Sequence, residues 1–171
     1  MSKQILILNG SPASTEHCGA DRRVTAGAEA GGPHRCPVRS GRSGHPRLPG
    51  LPGRRKGSPA PCVQRDGMDA VYPAYMAADV VVLASPMYYW SISGQLKCAF
   101  DRLFAVAELG PDLANPVKDA VLLMAAEGDT EENFAPVRAY YKALLDCLDW
   151  KDGGHCIRRR KHGRRGYRGP S

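Results

Sequence analysis

The chain contains no apolar run of the roughly eighteen residues that a membrane-crossing helix requires. A transmembrane helix is therefore not expected. Residues 1–4 lead straight into a strand pattern, without the charged and then apolar layout of a secretory leader, so the expected location is the cytoplasm. The six cysteines, at positions 18, 36, 62, 98, 147 and 156, form no Cys-x-x-Cys pair and no regular series. That spacing argues against a zinc site or a disulfide framework, and leaves free thiols and no expected metal. Aromatic residues are missing altogether from 17–61, and acids from 153–171. A chain of 171 residues is expected to form one domain with a core of its own.

The net charge of +7 hides a partition. Residues 17–61 carry nine Lys or Arg against two acids, residues 62–152 carry seven against fourteen, and residues 153–171 carry seven against none. An acidic body is interrupted once and followed once by strongly basic sequence. Such asymmetry is one signature of nucleic-acid binding, and two basic low-complexity segments acting on RNA phosphates are the alternative functional reading.

Three stretches read as strands buried on both faces of a parallel sheet: 4–8, 80–84 and 120–126. Turn residues Asn9, Gly10, Ser11 and Pro12 follow the first. Backbone amides in such a turn can hold a phosphate. After the second come Ser85 and Pro86, then Met87, Tyr88, Tyr89 and Trp90, and then Ile92, Leu96, Ala99, Phe100 and Leu103 at helical spacing. Ligands of open α/β sheets bind at the carboxyl ends of strands, so this aromatic loop is a place for a planar cofactor. The third strand ends in Glu127, Gly128 and Asp129, and the loop 126–133 is expected to lie beside the aromatic loop. Helices are expected at 66–78, where Asp66 can cap and Pro73 predicts a kink or late start, at 94–107, and at 131–149, entered through an Asp129-x-x-Glu132 start.

The run Ala84-Ser-Pro-Met-Tyr-Tyr-Trp-Ser-Ile-Ser-Gly-Gln-Leu-Lys-Cys-Ala-Phe-Asp-Arg102 resembles the flavodoxin-like NAD(P)H-dependent FMN reductases, a family that includes the iron-sulfur flavoproteins. The resemblance implies a flavodoxin-like doubly wound α/β fold with a parallel sheet of order 2-1-3-4-5. It also implies FMN as cofactor, NAD(P)H as hydride donor, a small-molecule electron acceptor and assembly as a homo-oligomer. By the same resemblance Asn9, Gly10, Ser11 and Pro12 take the phosphate side. Ser85, Pro86, Met87, Tyr88, Tyr89, Trp90, Glu127, Gly128 and Asp129 lie near the ring. No catalytic acid or base is nominated.

Residues 17–61 break every pattern: 24 of the 45 are Gly, Pro or Arg, and only Val24, Val38, Leu48 and Leu51 are large aliphatics. Taken literally they are disordered and basic. The codons that can encode 16–24, read one base later, permit N-T-A-A-L-I-A-A-F, a family-like helix start. The same shift permits a second strand from Pro33 and a G-C-L-G-C segment over 44–58. Residues 16–24 and 33–58 are therefore read as out-of-frame sequence, and 153–171 as a second such segment forming a basic disordered tail. The expected domain is 1–152, an incomplete sheet keeping strands 1, 3 and 4, with one apolar face bare and the cofactor function impaired.

Overall fold

The computed structural model describes residues 3–11, 34–37, 60–127 and 130–159. Their sheet has five parallel strands in the order β2-β1-β3-β4-β5, with β1 at Ile5–Asn9, β2 at His34–Pro37, β3 at Val80–Pro86, β4 at Asp119–Ala126 and β5 at Lys151–Arg159. This is the flavodoxin-like order that the family resemblance implies, with two strands more than expected.

The three central strands form where apolar residues run without interruption, because each is covered on both faces. Period-two geometry sorts their side chains. Leu6, Leu8, Val81, Leu83, Leu122 and Met124 join one buried cluster, while Ile7, Val82, Ala84 and Leu123 form a second. The described helices are α1 (Met68–Ala77), α2 (Gly94–Arg102), α3 (Phe104–Ala107) and α4 (Glu131–Leu148). All four contribute to the first cluster, through residues such as Tyr72, Leu96, Val106 and Phe134. The second face is not bare as the sequence suggests, since Ile7, Val82 and Ala84 are no more than 2% exposed.

Two sequence expectations need correction at the sheet edges. Residues 34–37 lie within the segment read as disordered, yet they pair in parallel with β1 from Leu6↔His34 to Asn9↔Pro37. Residues 153–159, expected in a disordered tail, pair with β4 from Leu122↔His155 to Ala126↔Arg159. Main-chain hydrogen bonds hold an edge strand without demanding apolar side chains, so neither strand leaves a hydrophobic signature. The glycines that look like breakers in β5 serve a register irregularity between Ala120 and Leu122. A Cβ on Gly153 would lie 2.9 Å from the Ala120 carbonyl oxygen, and Gly154 takes φ +110°, a conformation open to glycine. The remainder of 16–24, 33–58 and 153–171 lies outside the described residues.

The helix ends also differ in detail. Asp66 Oδ1 accepts from the Met68 amide at 2.9 Å, so it does close the start of α1, which begins at Met68 and carries Pro73 inside its first turns. For α4 the cap is Thr130, whose Oγ1 accepts from the Asn133 amide at 3.3 Å, in place of the expected Asp129. The α1 C-terminus has no basic residue of its own. Lys118, buried before β4, donates to the Ala78 carbonyl and lies 5.2 Å over the Tyr75 ring. Burial holds its pKa below the usual lysine value.

Arg102 closes α2 and is fully buried. It pairs with Asp66, reaches Cys62 Sγ at 3.5 Å and offers its carbonyl oxygen to the Tyr72 hydroxyl at 3.4 Å. Burial opposes its charge, but the hydrogen bonds to Asp66 and Cys62 and the charge interactions with Tyr72 and Asp66 together outweigh that and raise its pKa. Cys62 gains from the same arrangement. Burial pushes its thiol up, and the Gln64 backbone, Tyr72 and Arg102 together bring it below the ordinary value. This polar knot anchors the entry of α1 to the exit of α2.

Candidate functional site

The carboxyl ends of β1, β3 and β4 lie side by side, in the registers Asn9↔Ala84 and Pro86↔Ala125. The strand order reverses direction between β1 and β3, which is where open sheets of this type leave a crevice.

At the β1 side the turn is built by internal hydrogen bonds. The Gly10 amide donates to the Ala84 carbonyl at 2.8 Å, and the Ser11 amide to Asn9 Oδ1 at 2.9 Å. Gly10 has no room for a side chain, because a Cβ would meet Ser93 Oγ at 2.4 Å and Leu96 Cβ at 2.5 Å. Asn9 and Gly10 thus shape the turn. With these two amides committed and Pro12 lacking an N–H, a phosphate would draw backbone donors from residue 13 onward; Pro12 lies outside the described residues.

Ser93 joins this turn to the β3 side. Its hydroxyl donates to the Gly10 carbonyl at 2.7 Å and accepts from the Leu96 amide at 3.3 Å, capping α2, while its own amide donates to Ser85 Oγ at 2.8 Å. Ser85 Oγ in turn donates to the Pro86 carbonyl at 2.8 Å. Both serines are buried, and their hydroxyls are satisfied as burial requires. Ser93 is absent from the sequence-derived site; its place three residues before Leu96, ahead of the apolar helix pattern, is a cap signal that could have found it.

After Pro86 the Met87 amide donates to the Ala125 carbonyl at 2.8 Å, and Met87 packs against the core. Tyr88 and Ser91 then exchange two backbone hydrogen bonds of 3.1 Å each, around a two-residue tip in which Tyr89 has φ +47° and Trp90 φ +61°. Positive φ at both central residues is the type I′ arrangement, normally filled by Asn-Gly or Gly-Gly. Here two aromatic residues occupy it. Tyr88, Tyr89 and Trp90 are 51%, 94% and 52% exposed. The rings form a surface rather than part of the core.

The end of β4 adjoins that tip. Trp90 Nε1 donates to Asn133 Oδ1 at 3.0 Å, and Asn133 Nδ2 donates to the Glu127 carbonyl at 3.1 Å. The structure thus brings Ser85–Trp90 and Glu127 together, as the sequence suggests, while Gly128 and Asp129 lie outside the described residues. Asn133, which makes the link, is a helix residue whose sequence pattern does not single it out. Among the described residues no group of His, Cys, Asp and Glu could hold a metal ion, and Cys62, Cys98, Cys147 and Cys156 are free thiols.

Known proteins resemble the chain in sequence and in fold. The chain is 35% identical over 71 residues to an iron-sulfur flavoprotein of Archaeoglobus fulgidus, a match covering 42% of this chain and 32% of that one. It is 33% identical over 110 residues to an FMN-dependent NADH:quinone oxidoreductase of Rhizobium meliloti, covering 54% and 51%. The chain therefore spans about a third to a half of the length of these curated relatives. Among solved structures, the Trp repressor binding protein of Bacillus subtilis superposes with a TM-score of 0.62 at 11% identity, over 92% of this chain and 85% of that one, a likeness of fold. Residues 4–134 match the family model described as NADPH-dependent FMN reductase, and with most of its length so matched the chain belongs to that family.

Proposed function

We propose that the carboxyl ends of β1, β3 and β4 bind FMN and that the chain is an FMN-dependent NAD(P)H oxidoreductase of the flavin- or quinone-reductase type, serving a small-molecule electron acceptor. The observation that carries this reading is the exposed aromatic tip at the crevice beside the β1 turn. Three half-exposed or exposed rings held by backbone hydrogen bonds offer stacking surface to a planar group. The residues present fit the ring end of FMN. By this reading Asn9, Gly10 and Ser11 form the phosphate-side turn, and Ser85, Pro86, Met87, Tyr88, Tyr89, Trp90 and Glu127 serve the ring side; Pro12, Gly128 and Asp129, assigned to the same site from the sequence, lie outside the described residues. Bound FMN supplies acceptance of a hydride from NAD(P)H and return of two electrons to an acceptor. The chain's own part is to bind and orient: Ser93 ties the two loops at a fixed separation, and the aromatic tip limits water on one side.

Flavin titration tests this. Saturable quenching of FMN fluorescence, together with NADH-dependent reduction of menadione by the loaded protein, is the expected result. Absence of quenching up to millimolar FMN would overturn it. We further propose that residues 16–24, 33–58 and 153–171 are out-of-frame sequence, in which 34–37 and 153–159 still pair through main-chain groups. If that removes about three charge-assisted hydrogen bonds to the phosphate, at roughly 1.5–3 kcal/mol each, FMN affinity falls by at least about three orders of magnitude relative to a frame-restored protein. Resequencing the gene decides the first point, since codons unable to encode the shifted peptides would refute it. A submicromolar dissociation constant for the 171-residue chain would refute the second.

A further inference from the structure

Among the described residues, the strained aromatic tip has one side-chain hydrogen bond. Non-glycine residues in the left-handed region are disfavoured, and two in succession persist only when their surroundings hold them. The backbone pairing of Tyr88 with Ser91 closes the turn, but it does not fix where the tip points. That is done by a contact 43 residues away, the 3.0 Å hydrogen bond from Trp90 Nε1 to Asn133 Oδ1. Asn133 is itself held twice: its side-chain amide donates to the Glu127 carbonyl at 3.1 Å and its backbone amide to Thr130 Oγ1 at 3.3 Å. One side chain thus connects the end of β4, the start of α4 and the tip after β3.

We propose that Asn133 is a positioning residue: it clasps Trp90 so that this ring is a fixed wall, while Tyr89, 94% exposed and without a side-chain hydrogen bond among the described residues, swings to admit a planar acceptor. The inference rests on the FMN reading given above and adds to it the element that sets acceptor affinity. A fixed wall lowers the ordering cost that a stacking acceptor must meet on binding. Loss of the clasp frees the tip, and the acceptor then has to order it. The effect falls on acceptor binding rather than on electron transfer, because Asn133 acts on the site by positioning alone, through Trp90 and the Glu127 carbonyl.

The chain has two tryptophans, and Trp150 is buried. The difference between wild-type and Trp90→Phe emission therefore reports Trp90 alone, with no flavin needed. In Asn133→Ala the Trp90 component should shift to the red and lose steady-state anisotropy. Asn133→Asp keeps the acceptor for the indole N–H and loses only the donation to the Glu127 carbonyl, so its Trp90 emission should lie closer to wild type than that of Asn133→Ala. In FMN-loaded protein with NADH as donor, Asn133→Ala should raise the KM for menadione by about fivefold, the loss expected from one net hydrogen bond. Its kcat should change less than twofold. Unchanged Trp90 emission in Asn133→Ala, Asn133→Asp emission like that of Asn133→Ala, or a fall in kcat matching the rise in KM would each overturn the proposal. Failure of FMN to bind would overturn the functional reading and the acceptor role with it, while the emission arm would still judge the clasp.

Discussion

The central strands and the edge strands of this sheet are held by different forces. β1, β3 and β4 bury Leu, Ile and Val on both faces, whereas β2 reads His-Arg-Cys-Pro and β5 reads Lys-Asp-Gly-Gly-His-Cys-Ile-Arg-Arg. Apolar burial, at roughly 25 cal/mol per Å² removed from water, drives the former. The latter rest on main-chain pairing, whose net gain per hydrogen bond is only about 1 kcal/mol. The same sheet thus has a centre that sequence changes should damage severely and edges that they should damage locally.

The largest difference is expected at Leu122, in the middle of β4 and 1% exposed. Leu122→Ala removes buried methyl groups and leaves a cavity, which should cost about 2–5 kcal/mol of global stability. Urea denaturation measures it; a loss below about 1 kcal/mol would mean that β4 is no more central than the edges.

At the β5 edge, Gly153→Ala places a methyl group 2.9 Å from the Ala120 carbonyl oxygen and 3.0 Å from Val121 Cγ2. Backbone must move to accommodate it. We expect about 1–2 kcal/mol, confined to β5 and seen as faster amide exchange there with β3 and β4 protected as before. Exchange that quickens equally in all strands would show that edge and centre unfold as one unit.

Alkaline pH probes the layer that joins them. Burial raises the pKa of Tyr72, Tyr75 and Tyr141 above the usual tyrosine value. The Tyr141 hydroxyl donates to the Ala120 carbonyl at 2.7 Å and, at 3.3 Å, to Asp152 in β5, so it touches centre and edge together. Between the ordinary tyrosine pKa of about 10 and the raised folded values, the unfolded chain loses phenolic protons that the folded chain keeps. Stability should therefore be intact below that pH and fall as pH rises through it. Tyr141→Phe should flatten the fall. A stability curve that is level across this range would refute the linkage.

The smallest effect is expected at His155, an exposed β5 residue whose ring lies 6.5 Å from that of Tyr141. His155→Ala should change stability by no more than about 0.5 kcal/mol. A loss comparable to that of Leu122→Ala would erase the contrast between edge and centre.

Local sequence determined what local sequence can record. Uninterrupted apolar runs at 5–8, 80–84 and 120–126 place β1, β3 and β4, and helical spacing of Leu96, Ala99 and Leu103, or of Phe134, Val137 and Tyr141, places the helices. The aromatic run 88–90 marks the loop at a strand end, and the motif around it identifies the family. Each of these is a pattern of burial or turn chemistry written within a few residues. Tertiary structure alone decided the rest. Pairing of 34–37 with β1 and of 151–159 with β4 uses backbone groups that every residue carries, so no side-chain pattern announces it. Arg102 with Asp66, Ser93 with Gly10 and Trp90 with Asn133 meet across 36, 83 and 43 residues of chain. Polar partners of that kind need only one atom each in the right place. The folded sheet, by setting strand ends side by side, is what supplies the place.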